Sequence, residues 1–407
     1  MTVESALRGA APHLLLDSLR TSLAQQYAAY SADLLLIDYG FTSLRPVRPV
    51  QARTGVRPVP VDAGTAGRAF RTQQPYLFRD DGLTATVFLP VTVRGDRLGV
   101  LVVLLPGDRA TGATVQSLGR VAETRGPPPG GGGRPTHHDR PTPRTPPHTD
   151  LYRSTRRTRP LTLAGEMQWD TLAGRACTGP AFDLHAHWEP AYGSGGHLLD
   201  WSVTEDELLL VVADGAGPGT PAALVSTLAL SAIRNARRAG LDLVGQASLT
   251  DQALYGQYRG TSPLAALLMR LDLATGATEV VDAGSPSLWR TRGTGTERIA
   301  LDRQLPLGMF EDTVYATQRL RLLPGDRFVV VAREPGRPRP GGTGGVPDGA
   351  VARAVSRAAR LGCADVPRAV VRALREPPGG VPDTALVVCL DWHGAADGRP
   401  EPPASGG

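Results

Sequence analysis

A single aspartate closes a strand-like apolar run in the second half of the chain. Residues 208–213 are all apolar, Asp214-Gly215 follow them, and a Gly/Pro turn then leads into a long Ala/Leu-rich helix. An ionised carboxylate between two buried elements costs several kcal/mol unless something pairs with it. A divalent cation is a common partner for such a carboxylate. The pattern therefore predicts a metal-binding role for Asp214.

The glycines after this aspartate also suggest a loop that cradles phosphate groups. Gly215, Gly217 and Gly219 have a suitable spacing, but the chain contains no lysine. The phosphate-binding loop of nucleotide hydrolases needs a lysine, and the dinucleotide-binding pattern needs a later acidic residue that has no clear counterpart here. Neither nucleotide site is predicted.

The patterns around Asp214 predict a β-sandwich flanked by helices. Paired strands fit residues 182–215, and further strands fit residues 262–292 and 315–332. Two helices follow Asp214, a helical stretch covers about 349–375, and the apolar run "TALVVCLDW" predicts a closing strand. Many strands with helices in the middle and near the end favour two packed sheets with helices outside.

The N-terminal part alternates between helical and strand patterns. A helix is predicted over about Ala10 to Tyr30, followed by the strand "ADLLLIDYG" and by a short helix leading into a strand in "TAGRAFRTQQPYLF". The run "TATVFLPVTVRGDRLGVLVVLLP" predicts a hairpin with its turn at residues 94–97. This order indicates an α+β domain.

A composition change separates the two parts. Residues 125–148 contain no aliphatic or aromatic side chain except proline, so they cannot bury enough surface to offset their ordering entropy. We therefore predict domains at 1–122 and 161–394, a disordered linker at 123–160 and a disordered tail at 395–407.

Charge and cysteine usage exclude several classes of function. The net charge is +5, but residues 125–159 hold eight arginines and two acids, which leaves the rest near −1. No folded element carries a basic stripe with aromatic residues, so nucleic-acid binding is not predicted. No apolar run approaches the roughly 18–20 residues of a membrane span, and the N-terminus lacks signal-peptide features. The three scattered cysteines fit core positions in a reducing compartment, so we expect a cytoplasmic protein without membrane contact.

The C-terminal part resembles the PPM metal-dependent protein phosphatases, in particular their SpoIIE-like branch. The resemblance covers about 230 residues and rests on the order of several motifs: "EMQWDTL", "GGHLLDW", "VVADGAGPGTPAAL", "LDLATGATEVVDAGSPSLW", "QLPLGMFED", "LLPGDRFVVV" and "DTALVV". It implies an α-β-β-α sandwich. It also implies two Mn²⁺ or Mg²⁺ ions held by aspartates, with a metal-activated water that hydrolyses phosphoserine or phosphothreonine.

The resemblance assigns residues to this site and exposes departures from it. Asp214 matches the metal-bridging, catalytic carboxylate, and the Gly215 carbonyl matches a second ligand. The first acidic motif of the family is Gly-Gly-Asp, but His197 stands in the third place, with Asp200 further along the strand. Further motifs retain only partial substitutes. Glu334 stands near a family aspartate, and Asp383 is one residue from the place of another, which is proline here.

The N-terminal part resembles a GAF domain, through its element order and its "LPVTVRGDRLGVL" hairpin. The resemblance implies a sensor that binds a small ligand or serves in dimerisation.

Two functions remain open. One is a GAF-regulated serine/threonine phosphatase acting on a phosphorylated regulatory protein, such as an anti-sigma-factor antagonist. The other is a pseudophosphatase that binds such a partner or forms a homodimer without turnover. The missing carboxylates predict impaired metal binding in either case.

Overall fold

The structure is a computed structural model that covers most of the chain. It describes residues 15–47, 57–79, 83–93, 96–124, 150–158, 160–171, 174–189, 196–215, 217, 219–284, 286–333, 348–375 and 385–395. These residues form two compact units, one ending at Pro160 and the other beginning at Leu161. No helix in these ranges combines the length and apolarity needed to cross a membrane.

The first unit is a sheet flanked by helices. Its described strands are β1 (Ser31–Ile37), β2 (Ser43–Pro46), β3 (Val59–Pro60), β4 (Tyr76–Arg79), β5 (Thr84–Val93), β6 (Asp96–Pro106) and β7 (Glu123–Thr124). Its described helices are α1 (Leu15–Tyr27), α2 (Gly64–Thr72), α3 (Gly112–Ala122) and α4 (Asp150–Arg156). The strand order is β3-β2-β1-β6-β5-β4, and β7 pairs with β5. The predicted hairpin of β5 and β6 is present.

Alternating side chains of β1 bury both faces of this sheet. Leu36 lies in a cluster with Leu23 of α1, whereas Leu35 and Ile37 lie in a cluster with Phe70 of α2. Successive strand residues point to opposite faces, so helices cover the sheet on both sides. The identity of this unit as a GAF-like domain stays a prediction.

Helix α4 lies inside the segment that the sequence predicts as a linker, yet it packs on the first unit. The Arg156 Nε donates to the Ile37 carbonyl at 2.9 Å, and the Tyr39 N–H donates to the Arg156 carbonyl at 3.1 Å. The Arg156 guanidinium also lies 4.8 Å from the centre of the Tyr39 ring. The structure thus differs from a disordered linker over 123–160, because β7 and α4 are regular elements. Residues 125–149 lie outside the described ranges, as does the tail beyond residue 395.

The second unit contains two antiparallel sheets. The first has the order β10-β11-β12-β13-β16 and the second the order β15-β14-β17-β18-β9-β8. The described strands are β8 (Ala176–Thr178), β9 (Phe182–Glu189), β10 (His197–Val203), β11 (Glu207–Gly215), β12 (Leu264–Asp272), β13 (Ala277–Ala283), β14 (Ser287–Arg292), β15 (Gly295–Arg298), β16 (Gln318–Arg321), β17 (Arg327–Arg333) and β18 (Ala385–Trp392). The described helices are α5 (Leu163–Thr171), α6 (Thr220–Arg238), α7 (Leu243–Tyr258), α8 (Asp348–Ala358) and α9 (Val366–Arg375).

The cores of this unit lie between layers. Leu210 and Val212 of β11 face the second sheet, where they share a cluster with Val330 of β17. Val211 faces the other way and packs with Ile233 of α6. Helices α8 and α9 cover the outer face of the second sheet through a third cluster. The layer order helix, sheet, sheet, helix confirms the α-β-β-α sandwich that the sequence predicts.

Candidate metal site

Asp214 lies at the end of β11, on the face that looks toward the second sheet. Leu208, Leu210 and Val212 face the space between the sheets, so the period of two along a strand puts Asp214 on the same face. Its side chain is 9% exposed. The alternation of faces along β11 therefore places one carboxylate at the rim of the sandwich.

His197 is the direct neighbour of Asp214 on the adjacent strand. The antiparallel register of β10 and β11 pairs the two residues. The Asp214 Oδ1 lies 3.0 Å from the His197 Nδ1, and the histidine side chain is only 2% exposed. At this distance the two groups form an ion pair when the imidazole is protonated. An imidazole thus stands against the carboxylate oxygen that the sequence assigned to a metal ion.

The backbone around this pair is packed closely. The Gly215 N–H donates to the Gly196 carbonyl at 2.8 Å, and the buried Ser226 hydroxyl of α6 donates to the same carbonyl at 2.9 Å. A Cβ atom on Gly196 would lie 2.7 Å from the Gly215 carbonyl oxygen, so only glycine fits there. The Gly215 carbonyl, which the sequence assigned as a metal ligand, therefore lies against the Gly196 Cα. The serine contact was not predicted, and nothing in the sequence pattern singles it out.

Asp200 serves a different part of the fold from Asp214. It lies on β10 three residues from His197, about 10 Å along the strand, and shares the opposite face with Leu198. Its Oδ1 accepts from Arg234 Nη2 at 2.7 Å and its Oδ2 from Arg237 Nη1 at 3.0 Å. Both arginines belong to α6. The structure does not bring Asp200 to the Asp214 rim.

Glu334 and Asp383 lie outside the described residues. Glu334 directly follows Arg333, the last residue of β17, and Asp383 precedes Ala385, the first residue of β18, by two positions. Arg333 and Ala385 pair with each other. Both acidic residues therefore adjoin the same end of the second sheet along the chain.

The described donors do not form a site for two divalent ions. Mg²⁺ and Mn²⁺ prefer several oxygen ligands, most of them carboxylates, because each anion offsets part of the cost of dehydrating the cation. Asp214 is the carboxylate that the described residues place at this rim, and its Oδ1 contacts His197. A buried imidazole is a poor substitute for a carboxylate at such a site.

A comparison with protein families identifies part of this unit. Residues 204–332 match the family model described as Stage II sporulation protein E (SpoIIE). The matched range includes β11 with Asp214, helices α6 and α7, and β17. No curated protein matches the chain.

Solved structures of phosphatase domains are similar to the chain over about half its length. The RsbU and RsbW domains of a Mycobacterium tuberculosis protein show 23% identity and a TM-score of 0.43, over 53% of this chain and 61% of theirs. The phosphatase domain and regulatory fragment of SpoIIE from Bacillus subtilis show 14% identity and a TM-score of 0.43, over 52% of this chain and 64% of that one. The SiaA-PP2C domain of Pseudomonas aeruginosa shows 23% identity and a TM-score of 0.43, over 51% of this chain and 85% of that one. The chain thus spans less than two thirds of the first two.

Proposed function

We propose that the second unit is a SpoIIE-like PPM serine/threonine phosphatase domain and that the chain is a regulatory protein that binds a phosphorylated partner with little or no turnover. The match of residues 204–332 to the SpoIIE family model supports this assignment. The partner would be a phosphorylated regulatory protein, such as an anti-sigma-factor antagonist. The N-terminal unit would act as a GAF-like sensor or in homodimerisation. The three cysteines are buried and form no disulfide, which is consistent with a reducing compartment such as the cytoplasm.

The observation that carries this proposal is the contact between His197 and Asp214. When protonated, the imidazole is a positive charge 3.0 Å from Oδ1, one of the two carboxylate oxygens that could bind a cation. When neutral, it adds no anionic oxygen to the site. Among the described residues, no third histidine, cysteine, aspartate or glutamate donor lies within 4.8 Å of both His197 and Asp214. The proposed site therefore keeps its architecture while its affinity for Mg²⁺ and Mn²⁺ falls.

Calorimetric titration of the full chain with Mn²⁺ tests this proposal. We expect no tight binding to the wild type and no change in Asp214→Asn. His197→Asp would place a second carboxylate opposite the first, with the two Cβ atoms about 5 Å apart, and should create Mn²⁺ binding. A matched control is Ser231→Asp, on the exposed face of α6, which should create none.

Hydrolysis of a small aryl phosphate gives the second readout. We expect the wild type and Asp214→Asn to share the same low rate in Mn²⁺. Mn²⁺-dependent hydrolysis by the wild type that disappears in Asp214→Asn would overturn the proposal and establish an active phosphatase.

An active phosphatase is the second candidate, and the pairing of Arg333 with Ala385 favours it. Glu334 follows Arg333 directly along the chain, and Asp383 precedes Ala385 by two positions. If they complete the site, Glu334→Gln and Asp383→Asn should each weaken Mn²⁺ binding and lower the hydrolysis rate. An equally low rate of aryl phosphate hydrolysis by the wild type and by Asp214→Asn would exclude this candidate.

A further inference from the structure

Two of the three cysteines meet an aspartate on the outer side of the second sheet. Cys389 and Asp391 share one face of β18, and Cys363 lies in the connection between α8 and α9. The two sulfur atoms and a carboxylate oxygen of Asp391 all lie within 4.8 Å of one another. Across the described ranges, this is the only group of three or more His, Cys, Asp or Glu donors with such spacing.

The hydrogen bonds of this cluster hold its donor atoms together. The Cys363 thiol donates to the carbonyls of Asp183 at 3.3 Å and Cys389 at 3.5 Å. The Cys389 thiol donates to the Asp391 Oδ1 at 3.8 Å. Cys363 is 6% exposed and Cys389 is fully buried. The thiols are therefore fixed in place near the carboxylate rather than free to rotate into solvent.

Arg327 completes the cluster. Its Nε and Nη2 donate to the two oxygens of Asp391 at 2.5 and 2.7 Å. Its Nη1 donates to the carbonyls of Ala359 and Leu361, each at 2.9 Å. The cluster thus joins β17, β18 and the connection between α8 and α9. The guanidinium balances the charge of Asp391, so the cluster is neutral while both thiols keep their protons.

We propose that Cys363, Cys389 and Asp391 form a binding site for Zn²⁺ or another thiophilic divalent cation. Thiolate sulfur suits Zn²⁺ and does not suit Mg²⁺ or Mn²⁺, so this site is chemically separate from the Asp214 rim. The proposal goes beyond the proposed function and does not depend on it.

The charge balance of the cluster favours this exchange. One Zn²⁺ replaces the two thiol protons, which pass to the buffer, and no oxidation or reduction takes place. Two thiolates and one carboxylate then carry three negative charges, which the ion and Arg327 balance.

The geometry needs only a small contraction. Zn²⁺–S bonds of about 2.3 Å in a tetrahedral site put two sulfur atoms about 3.8 Å apart. The donor atoms, now within 4.8 Å, would move by about 1 Å or less. Asp391 can turn Oδ1 to the ion and keep Oδ2 on Arg327. A water molecule or a nearby carbonyl oxygen supplies the fourth ligand.

Titration of the metal-free full chain with Co²⁺ tests this site, because Co²⁺ bound to thiolates gives an intense charge-transfer absorption. We expect this absorption in the wild type and its disappearance when Zn²⁺ is added. Cys363→Ser and Cys389→Ser should lose the absorption and weaken Zn²⁺ binding by more than about tenfold. Cys177→Ser is the matched control, since Cys177 is also buried but lies on β8, and it should behave as the wild type.

X-ray absorption at the zinc edge of the wild type needs no variant, and so covers the case in which a serine variant fails to fold. We expect two sulfur neighbours at about 2.3 Å. A zinc shell of nitrogen and oxygen alone, as from His137-His138, would overturn the proposal. An absence of Zn²⁺ binding, or equal loss in Cys177→Ser, would also overturn it. None of these results depends on Mn²⁺ binding or hydrolysis, which test the proposed function.

Discussion

At the scale of single residues, the face of a strand decides what each aspartate does. Asp214 shares a face with the residues between the sheets, whereas Asp200 shares a face with Leu198 beneath α6. The two carboxylates lie on neighbouring strands and differ in their position along the pleat. Asp214 meets an imidazole at the rim, and Asp200 meets two guanidinium groups at the helix. The first belongs to the candidate site and the second to the packing of α6 on its sheet.

The role of Asp200 gives a test of stability. Asp200→Asn keeps the shape of the side chain but removes the negative charge that Arg234 and Arg237 contact, and Arg237 is only 7% exposed. We expect the free energy of unfolding to fall by about 3 kcal/mol, since removing one partner of a buried ion pair leaves the other charge uncompensated. Denaturant unfolding followed by tryptophan fluorescence measures this change.

The control for this variant is Asp206→Asn, in the exposed turn between β10 and β11. Its free energy of unfolding should change by less than about 0.5 kcal/mol. A wild-type stability for Asp200→Asn would show that the ion pairs with α6 contribute nothing. Neither variant should alter Mn²⁺ binding at the rim where Asp214 lies.

The sequence predicts the position of Asp214 but not its surroundings. An apolar run that ends in Asp-Gly before a helix can be recognised in the sequence alone, so the position of Asp214 follows from the local pattern. The contact with His197 depends on the register of two strands, which the sequence does not state. Asp200 was a candidate ligand because its chain position is close to His197. The pair Arg234 and Arg237, three residues apart on one helix face, is the signal that could have indicated its packing role.

At the scale of elements, the turn before β17 shows how a buried carboxylate can organise the connection between the two sheets. The Asp326 side chain is 1% exposed and accepts from Arg292 Nε and Nη2, both at 2.6 Å, and from the Leu323 N–H at 2.7 Å. Burial alone would raise the pKa of Asp326, but these hydrogen bonds and the charge of Arg292 outweigh it, so the pKa lies below its ordinary value.

This turn predicts a pH dependence of stability. A carboxyl whose pKa is lower in the folded than in the unfolded chain adds stability above its unfolded pKa, and the contribution is lost as the pH falls toward the folded pKa. We therefore expect Asp326 to make the second unit less stable below about pH 4. In Asp326→Asn, stability should fall less steeply over this acid range. Urea unfolding at several pH values measures the slopes, and equal slopes for both proteins would contradict this reading.

Local patterns predicted most elements of the second unit, because alternation and helical periodicity are strong there. The hairpin of β5 and β6 also followed from its turn residues. The sequence does not predict helix α4, because residues 125–148 contain no core-forming side chains and the helix directly follows them within the predicted linker. Its contacts with Ile37 and Tyr39 join residues more than a hundred positions apart, and no local pattern encodes such a contact.

At the scale of the whole molecule, the position of α4 shows where the chain passes from one unit to the other. The chain leaves the first unit after β7 and returns to it at α4, so residues 125–149 begin and end on the same unit. The stretch that joins the two units is residues 157–162, between α4 and α5. The connection between the two units is therefore short.

Cutting the chain inside residues 125–149 tests this arrangement. With a specific protease site inserted there, we expect the two fragments to elute together in gel filtration, because the C-terminal fragment still supplies α4 to the first unit. Arg156→Ala removes the bond to the Ile37 carbonyl and the contact with the Tyr39 ring, and should weaken the association. Fragments that separate completely without this substitution would contradict the role of α4.

The same arrangement sets the length of the chain segment that connects the two units. Six residues span at most about 20 Å when fully extended, whatever the length of the segment before them. Insertions or deletions within 125–149 would therefore leave the length of this connection unchanged.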